Sequence, residues 1–266
     1  MQEQGLRLFD ANASFGADMV NHECVNHERF IVLEKVDIAK DARALIEYMD
    51  GAGIARAQVW HRAMYELDPT KGNHRLTQAV KGYEDRLSMS WTVLPAITDR
   101  QYEPTVFLQE MKRHGVKTLH AFPDMNRYIL CDVTMGAQLG LFSELKIPLY
   151  LSPSIGFEYI YQVLREFPNL TVILYNIGWW PSARLVYPLL ARYPNVYFET
   201  GDFSMLRGYE EVTERFGAER MLFGTNFPTN SMAGSIYCLE TANISAEDRE
   251  KIAHGNIERL LDEVRL

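Results

Sequence analysis

Two stretches, EFPNLTVIL (166–174) and RYPNVYFET (192–200), repeat one pattern almost literally. In each, an aromatic residue closes a helical run, proline stops it, and asparagine opens the turn into a strand. Such a repeat is the trace of a βα unit. Working outward from it, short apolar or β-branched runs recur at 6–10, 56–60, 89–94, 116–120, 148–151, 171–175, 196–199 and 220–224, which makes eight candidate strands. Between them apolar residues fall at helical spacing: Ala42, Leu45, Ile46 and Met49; Phe107, Leu108 and Met111; Tyr159, Ile160, Val163, Leu164 and Phe167; and finally Ile257, Leu260, Leu261 and Val264. Regular alternation of this kind predicts a parallel sheet covered by helices, an α/β fold of the (β/α)8 TIM-barrel class, in a single domain over 1–266. Pro188, inside SARLVYPLLARY, predicts a kinked helix or one broken in two.

Loop lengths are unequal. The helix-to-strand turns (GAG, HG, FPN, YPN, GAE) are tight, while the strand-to-helix segments 11–37, 61–73 and 225–245 are long. Active sites of such barrels form from the strand-to-helix loops at the C-terminal ends of the strands, so that face is expected to carry the function.

Composition narrows the function classes. The 266 residues are 47% hydrophobic, enough for one large core, and the formal net charge of -8 without a basic run argues against nucleic acid as a partner. No run approaches the length of a membrane span, and MQEQGLRLFD lacks the apolar segment of a signal peptide, so a cytoplasmic protein is expected, with no membrane partner. Cys24, Cys131 and Cys238 lie far apart without CxxC spacing, and reduced thiols are expected.

At the strand ends the chain resembles the metal-dependent amidohydrolase superfamily, in the group that includes decarboxylase-like and 2-pyrone-dicarboxylate lactonase-like barrels. FDANASFG (9–16) is similar to that family's opening DxHxH-G element, and 73–95 to its N...R...P segment. MLFGTNFP (221–228) resembles its Gly-Ser/Thr-Asp-x-Pro element, IPLYLS and VILYNIG its fifth and sixth strands, and HGNIERLL its final helix. In the family, histidines on the first, fifth and sixth strands and an aspartate on the eighth bind metal or activate water. Carried over, those five positions hold Asn12, Ser14, Ser152, Asn176 and Asn226, all neutral amides or hydroxyls. The resemblance therefore implies the fold, whereas the donor types predict no metal site of the family's kind and no cofactor.

His120 ends the fourth candidate strand and His61 the second. Each is a candidate catalytic acid or base, and each is also the kind of histidine that bonds to backbone at a strand end. Glu199, Thr200 and Asp202 follow the seventh strand; Glu199 is the catalytic candidate among them, and Asp202 a helix cap near Phe203. Asp10 is expected to bond to backbone at the barrel rim. Asn12, Ser14, Ser152, Asn176, Trp179 and Asn226 are the candidate substrate-binding residues, Trp179 within an aromatic wall that includes Trp60, Tyr128, Tyr175 and Trp180. Arg62, Arg127 and Arg184 are candidate anion anchors, and Asn73, Arg86 and Asn256 read as architectural. NHECVNH (21–27) narrowly misses HExxH, and His22, Cys24 and His27 make a weak metal pattern.

Three functions compete. One is metal-independent hydrolysis or lyase-type chemistry on a small polar, carboxylate-bearing molecule. Without a metal the pKa of water stays near 15.7 and a lone general base contributes about 10² to 10⁴ in rate, which favours easy chemistry. Another is a catalytically silent barrel that binds a small molecule, and a weaker third is an enzyme with a rebuilt metal site. The apolar residues of SMAGSIYCLE (231–240) suggest a contact for a homo-oligomer.

Overall fold

The two repeated junctions lie side by side: the Asn195 amide donates to the Leu170 carbonyl, and the Val172 N–H donates to the Asn195 carbonyl at 3.0 Å. Arg220 locks the second junction, its guanidinium donating to the carbonyls of Leu190, Tyr193, Pro194 and Val196. The computed structural model describes residues 5–16, 39–66, 68–178 and 183–266. Its strands are β1 (Leu8–Phe15), β2 (Ile54–His61), β3 (Leu87–Thr92), β4 (Thr118–Ala121), β5 (Leu149–Leu151), β6 (Val172–Leu174), β7 (Val196–Glu199) and β8 (Met221–Leu222). They pair in sequence order, each parallel to the next.

The helices are α1 (Ala42–Ala52), α2 (Ala63–Glu66), α3 (Pro69–Ala79), α4 (Pro104–His114), α5 (Asp132–Glu144), α6 (Phe157–Glu166), α7 (Ala183–Arg192), α8 (Gly208–Phe216), α9 (Met232–Thr241), α10 (Ala246–Glu250) and α11 (Asn256–Asp262). Their starts follow from side-chain caps. Asp41 accepts the Ala44 N–H at 2.8 Å, Asp68 the Lys71 N–H at 3.0 Å, and Glu103 the Val106 N–H at 3.1 Å, the last two just ahead of a proline in the first turn. The predicted stripes face the barrel: Leu45 and Met49 of α1, Met111 of α4, and Ile160, Val163 and Leu164 of α6 are buried with Leu119, Leu149, Leu151, Val172 and Leu174 of the strands. Each such side chain contributes roughly 1.5–3 kcal/mol by leaving water.

The (β/α)8 barrel expected from the alternation is thus the observed fold, with three corrections. β1 does not end at Asp10 but runs to Phe15, because it pairs along β2 through a register shift between Asp10 and Ala13. β8 is only two residues of ladder. Beyond it the chain turns to two different neighbours: the Phe223 N–H goes to Ile252 O at 2.9 Å, while the Phe223 carbonyl takes the Ala11 N–H at 2.7 Å. The latter bond, with Ser14 N–H to Phe227 O at 2.8 Å, closes the seam between β8 and β1. Finally, of the two outcomes expected at Pro188, a kink or a break, the break does not occur: α7 runs through it as one helix. The proline leaves the Arg184 carbonyl without a helical donor, and beside it the Tyr161 hydroxyl of α6 donates to Leu185 O at 2.9 Å. A non-helical residue occurs instead in α5, at Met135.

The barrel interior is polar where branched aliphatic side chains are the rule. Gln58 of β2 donates to Thr118 Oγ1 of β4 at 2.7 Å, the His120 Nδ1 lies 2.7 Å from Ser90 Oγ, and the Tyr150 hydroxyl donates across the lumen to Ala11 O at 2.7 Å. Among the described residues no helix is long and apolar enough to cross a membrane.

Candidate functional site

β1 carries Asp10, Asn12 and Ser14, and all three side chains are buried. Asp10 behaves as the rim anchor expected of it: its carboxylate accepts the backbone N–H groups of Asn12 (3.0 Å) and Thr225 (2.9 Å) and the Thr225 hydroxyl. Burial still wins over these bonds and pushes its pKa up to about 6. Ser14 donates to Phe227 O at 3.3 Å, so its hydroxyl stitches the β1/β8 seam.

Asn12 links β1 to β2 and β7. Its amide oxygen accepts the Trp60 indole N–H at 3.0 Å, which fixes the orientation of the amide, and its NH2 faces Glu199 Oε1 at 3.4 Å. Glu199, at the end of β7, is fully buried. Its Oε2 accepts the Gly201 N–H at 2.6 Å and its Oε1 lies 3.4 Å from the Asn176 N–H. Two glycines make room for the carboxyl: a Cβ on Gly224 would stand 2.1 Å from Oε2, and one on Gly201 would stand 2.7 Å from it. Desolvation, reinforced by the charges of Asp202 and Asp10, outweighs the donated hydrogen bonds and raises the Glu199 pKa to about 8. At neutral pH this group is mostly a carboxylic acid.

His120 stands on the opposite wall. It is fully buried, stacked on the Tyr150 ring at 4.3 Å and walled by Tyr175 (5.3 Å), Trp60 (5.5 Å) and Phe122 (5.7 Å). Nδ1 has Ser90, but the buried Nε2 has no hydrogen-bond partner. Burial lowers its pKa to about 3, so the ring stays neutral and is a weak base. His61 lies elsewhere, on the face of β2 opposite Trp60. Its Nδ1 accepts the Ala63 N–H at 3.1 Å, and its ring packs against Phe15 and over Gly16, whose φ of +94 and tight contact with the imidazole leave no room for a Cβ. The structure therefore brings Asn12 and Glu199 together, with His120 joined to them through the Trp60 ring, and sets His61 apart.

A cavity of about 510 Å³ opens at the C-terminal ends of β6, β7 and β8, lined among others by Asn176, Asp202, Asn226, Thr229, Ser231 and Ser235. Asn176 and Asn226 both adopt left-handed backbone, φ 53 and 52. The Glu199 carboxyl lies beneath this cavity, held by the N–H groups of two of its lining residues, Asn176 and Gly201. No Lys, Arg or His is among its described lining residues. Asp202 does not cap a helix as expected. α8 starts only at Gly208, and the Asp202 carboxylate instead accepts the Gly178 N–H at 3.1 Å, with burial raising its pKa. Ser152 turns its hydroxyl to the Ser154 N–H at 3.2 Å. Trp179 and Trp180, and the loop residues His22, Cys24 and His27, lie outside the described residues. The architectural residues act as such: Asn73 pairs both its amide atoms with the Thr92 backbone, Arg86 donates to Ile54 O and Ala55 O, and Asn256 to Ala218 O and Met221 O.

The five positions that the resemblance matches to the family's metal ligands carry neutral side chains. The Asn12 amide, Ser14 hydroxyl and Ser152 hydroxyl are engaged in internal hydrogen bonds, and Asn176 and Asn226 supply no charge. Sequence reasoning missed Ser90, Tyr150, Gly201 and Gly224 as parts of the site. The two glycines were the available signal, since one follows Glu199 by two residues and the other ends the neighbouring strand.

The amidohydrolase family model matches residues 139–262. Among solved structures, an uncharacterised TIM-barrel protein from Bordetella bronchiseptica is similar, with 22% identity and a TM-score of 0.72 over 97% of this chain and 99% of that one. 2,6-Dihydroxybenzoate decarboxylase from Rhizobium has 15% identity and a TM-score of 0.72 over 97% of this chain and 99% of that one. 5-Carboxyvanillate decarboxylase from Novosphingobium aromaticivorans, complexed with manganese and a nitrobenzoic acid, has 16% identity and a TM-score of 0.72 over 98% and 97%. No curated protein matches the sequence. At these identities the structural likeness shows the barrel, and the family match covers β5 to β8, α6 to α11 and the end of α5. The amidohydrolase resemblance is borne out over residues 139–262, which include IPLYLS, VILYNIG, MLFGTNFP and HGNIERLL but not FDANASFG or 73–95.

Proposed function

We propose that the barrel mouth performs metal-independent, lyase-type chemistry on a small, polar, carboxylate-bearing molecule, with Glu199 as the proton donor. The observation that carries this reading is a fully buried carboxyl, pushed up to about 8, beneath an open cavity at the catalytic face. A protonated Glu199 meets an anionic substrate as a hydrogen-bond donor, which an ionised one would not, and this suits a cavity lacking cationic side chains among its described lining residues. In the step proposed, the bond from carbon to carboxylate breaks, carbon dioxide leaves, the electron pair stays on carbon, and Glu199 delivers its proton there. The long 3.4 Å contacts at Oε1 leave that oxygen the freer to carry the proton, since Oε2 is held at 2.6 Å. Asn12 and Asn176 hold the carboxyl, His120 presents its neutral ring as a hydrogen-bonding group, and Asn226 binds substrate; Ser14, Ser152 and His61 support the walls. The named substrates of the two decarboxylases, both carboxylated aromatics, support the substrate class.

A silent binding barrel is the second reading, favoured by the neutral amides and hydroxyls of Asn176, Asn226, Thr229, Ser231 and Ser235 around the cavity. The test is a screen of hydroxylated aromatic carboxylates and lactones, with and without chelator, on wild type and Glu199→Gln. Turnover that survives chelation, falls about 10² to 10⁴-fold in the variant, and declines as pH rises past about 8 supports the enzyme. Ligand-induced stabilisation without turnover supports the silent barrel, and loss of turnover on chelation refutes metal independence.

A further inference from the structure

The opposite end of the barrel carries another cavity, of about 400 Å³, that the chemistry above does not use. It lies where β2, β3 and β4 begin, with α11 on its rim. Arg56 and Gln58, two residues apart on β2, share the inward face of that strand. Gln58 is only 1% exposed; it donates to Thr118 Oγ1 at 2.7 Å, and its amide oxygen is buried without a partner. Turning the amide round would leave the NH2 unmatched instead, so one end of this side chain lacks its complement either way. Arg56 donates to Ser88 Oγ at 3.1 Å, lies 3.8 Å from Glu258 and covers the Phe9 ring at 4.6 Å, yet its Nε–H is buried and also unpaired. Both residues line the cavity, together with the exposed Lys117, Glu84 and Asp262 at its edge.

The site thus offers an unmatched acceptor and an unmatched donor on residues two apart along β2, within a rim of both signs. A simple anion would face Glu84 and Asp262. A simple cation would face Arg56 and Lys117. We propose that this cavity binds a small zwitterion, a free amino acid. Its carboxylate accepts from the Arg56 Nε–H under the charge of Lys117, and its ammonium donates to Gln58 Oε1 on the side of Asp262 and Glu84. This site stands apart from the catalytic mouth and does not depend on its chemistry.

The experiment is calorimetric titration and thermal denaturation of the full chain with each of the common amino acids, using acetate and ethylamine as single-charge controls. Saturable binding of at least one amino acid is expected, with neither control binding at the same concentration. Gln58→Met, which keeps the volume and removes the acceptor, is expected to weaken binding about tenfold, and Lys117→Ala, at the exposed rim, several-fold. Glu199→Gln leaves the affinity unchanged, because that residue lies at the other mouth. Should Gln58→Met not fold, Lys117→Ala and Arg56→Lys carry the same comparison. The proposal is overturned if no amino acid binds, if acetate binds as well as the amino acids do, or if neither class of variant weakens binding.

Discussion

Replacing Glu199 by glutamine tests whether a buried acid governs the barrel mouth, and it can be read without knowing the substrate. The native group releases its proton at about 8, against an ordinary value of 4.5 in the unfolded chain. Between those values the native state holds a proton that the unfolded state has lost, so stability falls as pH rises through this window and is level above it. At about 1.36 kcal/mol for each pH unit the ceiling is about 5 kcal/mol, and water entry around the ionised carboxylate reduces it to about 2–5 kcal/mol. Glutamine cannot ionise, so the variant escapes this loss. Urea unfolding of both proteins from about pH 5 to 9 checks it. The variant gains on wild type as pH rises, by that amount in total, whatever fixed offset the amide introduces. Asp10, with its pKa raised to about 6, produces a similar loss at lower pH, but it does so equally in both proteins. A difference between them that stays constant to within about 1 kcal/mol over the whole range would refute the assignment of a buried, protonated Glu199.

Gly224→Ala places a methyl group 2.1 Å from Glu199 Oε2 and is expected to cost about 2–3 kcal/mol in urea unfolding, with loss of any activity. Asp10→Ala strips the partner from two buried N–H groups and the Thr225 hydroxyl, and calorimetry should show a loss of about 3 kcal/mol or more. Trp60→Phe keeps the ring wall of His120 but releases the Asn12 amide oxygen; about 1–2 kcal/mol of stability is lost, measured by chemical denaturation.

The fold was legible because its units are local. The YPN junction places β7 at Val196–Glu199, the bounds expected, since proline and asparagine punctuate the chain on one side and Gly201 on the other. β1 was misjudged by five residues at its end, because its continuation depends on pairing with β2 and on the seam with Phe227, which lie 39 and more residues away in sequence. The site was legible as a set of positions but not as a set of states. Asn12 looked like a replaced ligand, and its partners, Trp60 and Glu199, are 48 and 187 residues distant. The protonation of Glu199 arises from burial between Gly201 and Gly224 and from Asp202 and Asp10, a sum over three chain segments. His61 and His120 were indistinguishable as strand-end histidines. Alternation along β2 puts one beside Phe15 and Gly16, while the other faces the lumen.

Tyr150 bears on the whole length of the barrel. From β5 its hydroxyl reaches β1, four strands away around the ring, and His120 lies flat against it at 4.3 Å. Both are fully buried, so together they form a partition across the tube. A molecule held at the N-terminal rim has no passage through the centre to the mouth above. The two ends of this barrel are separate compartments, and any influence of one on the other must travel through the wall of strands.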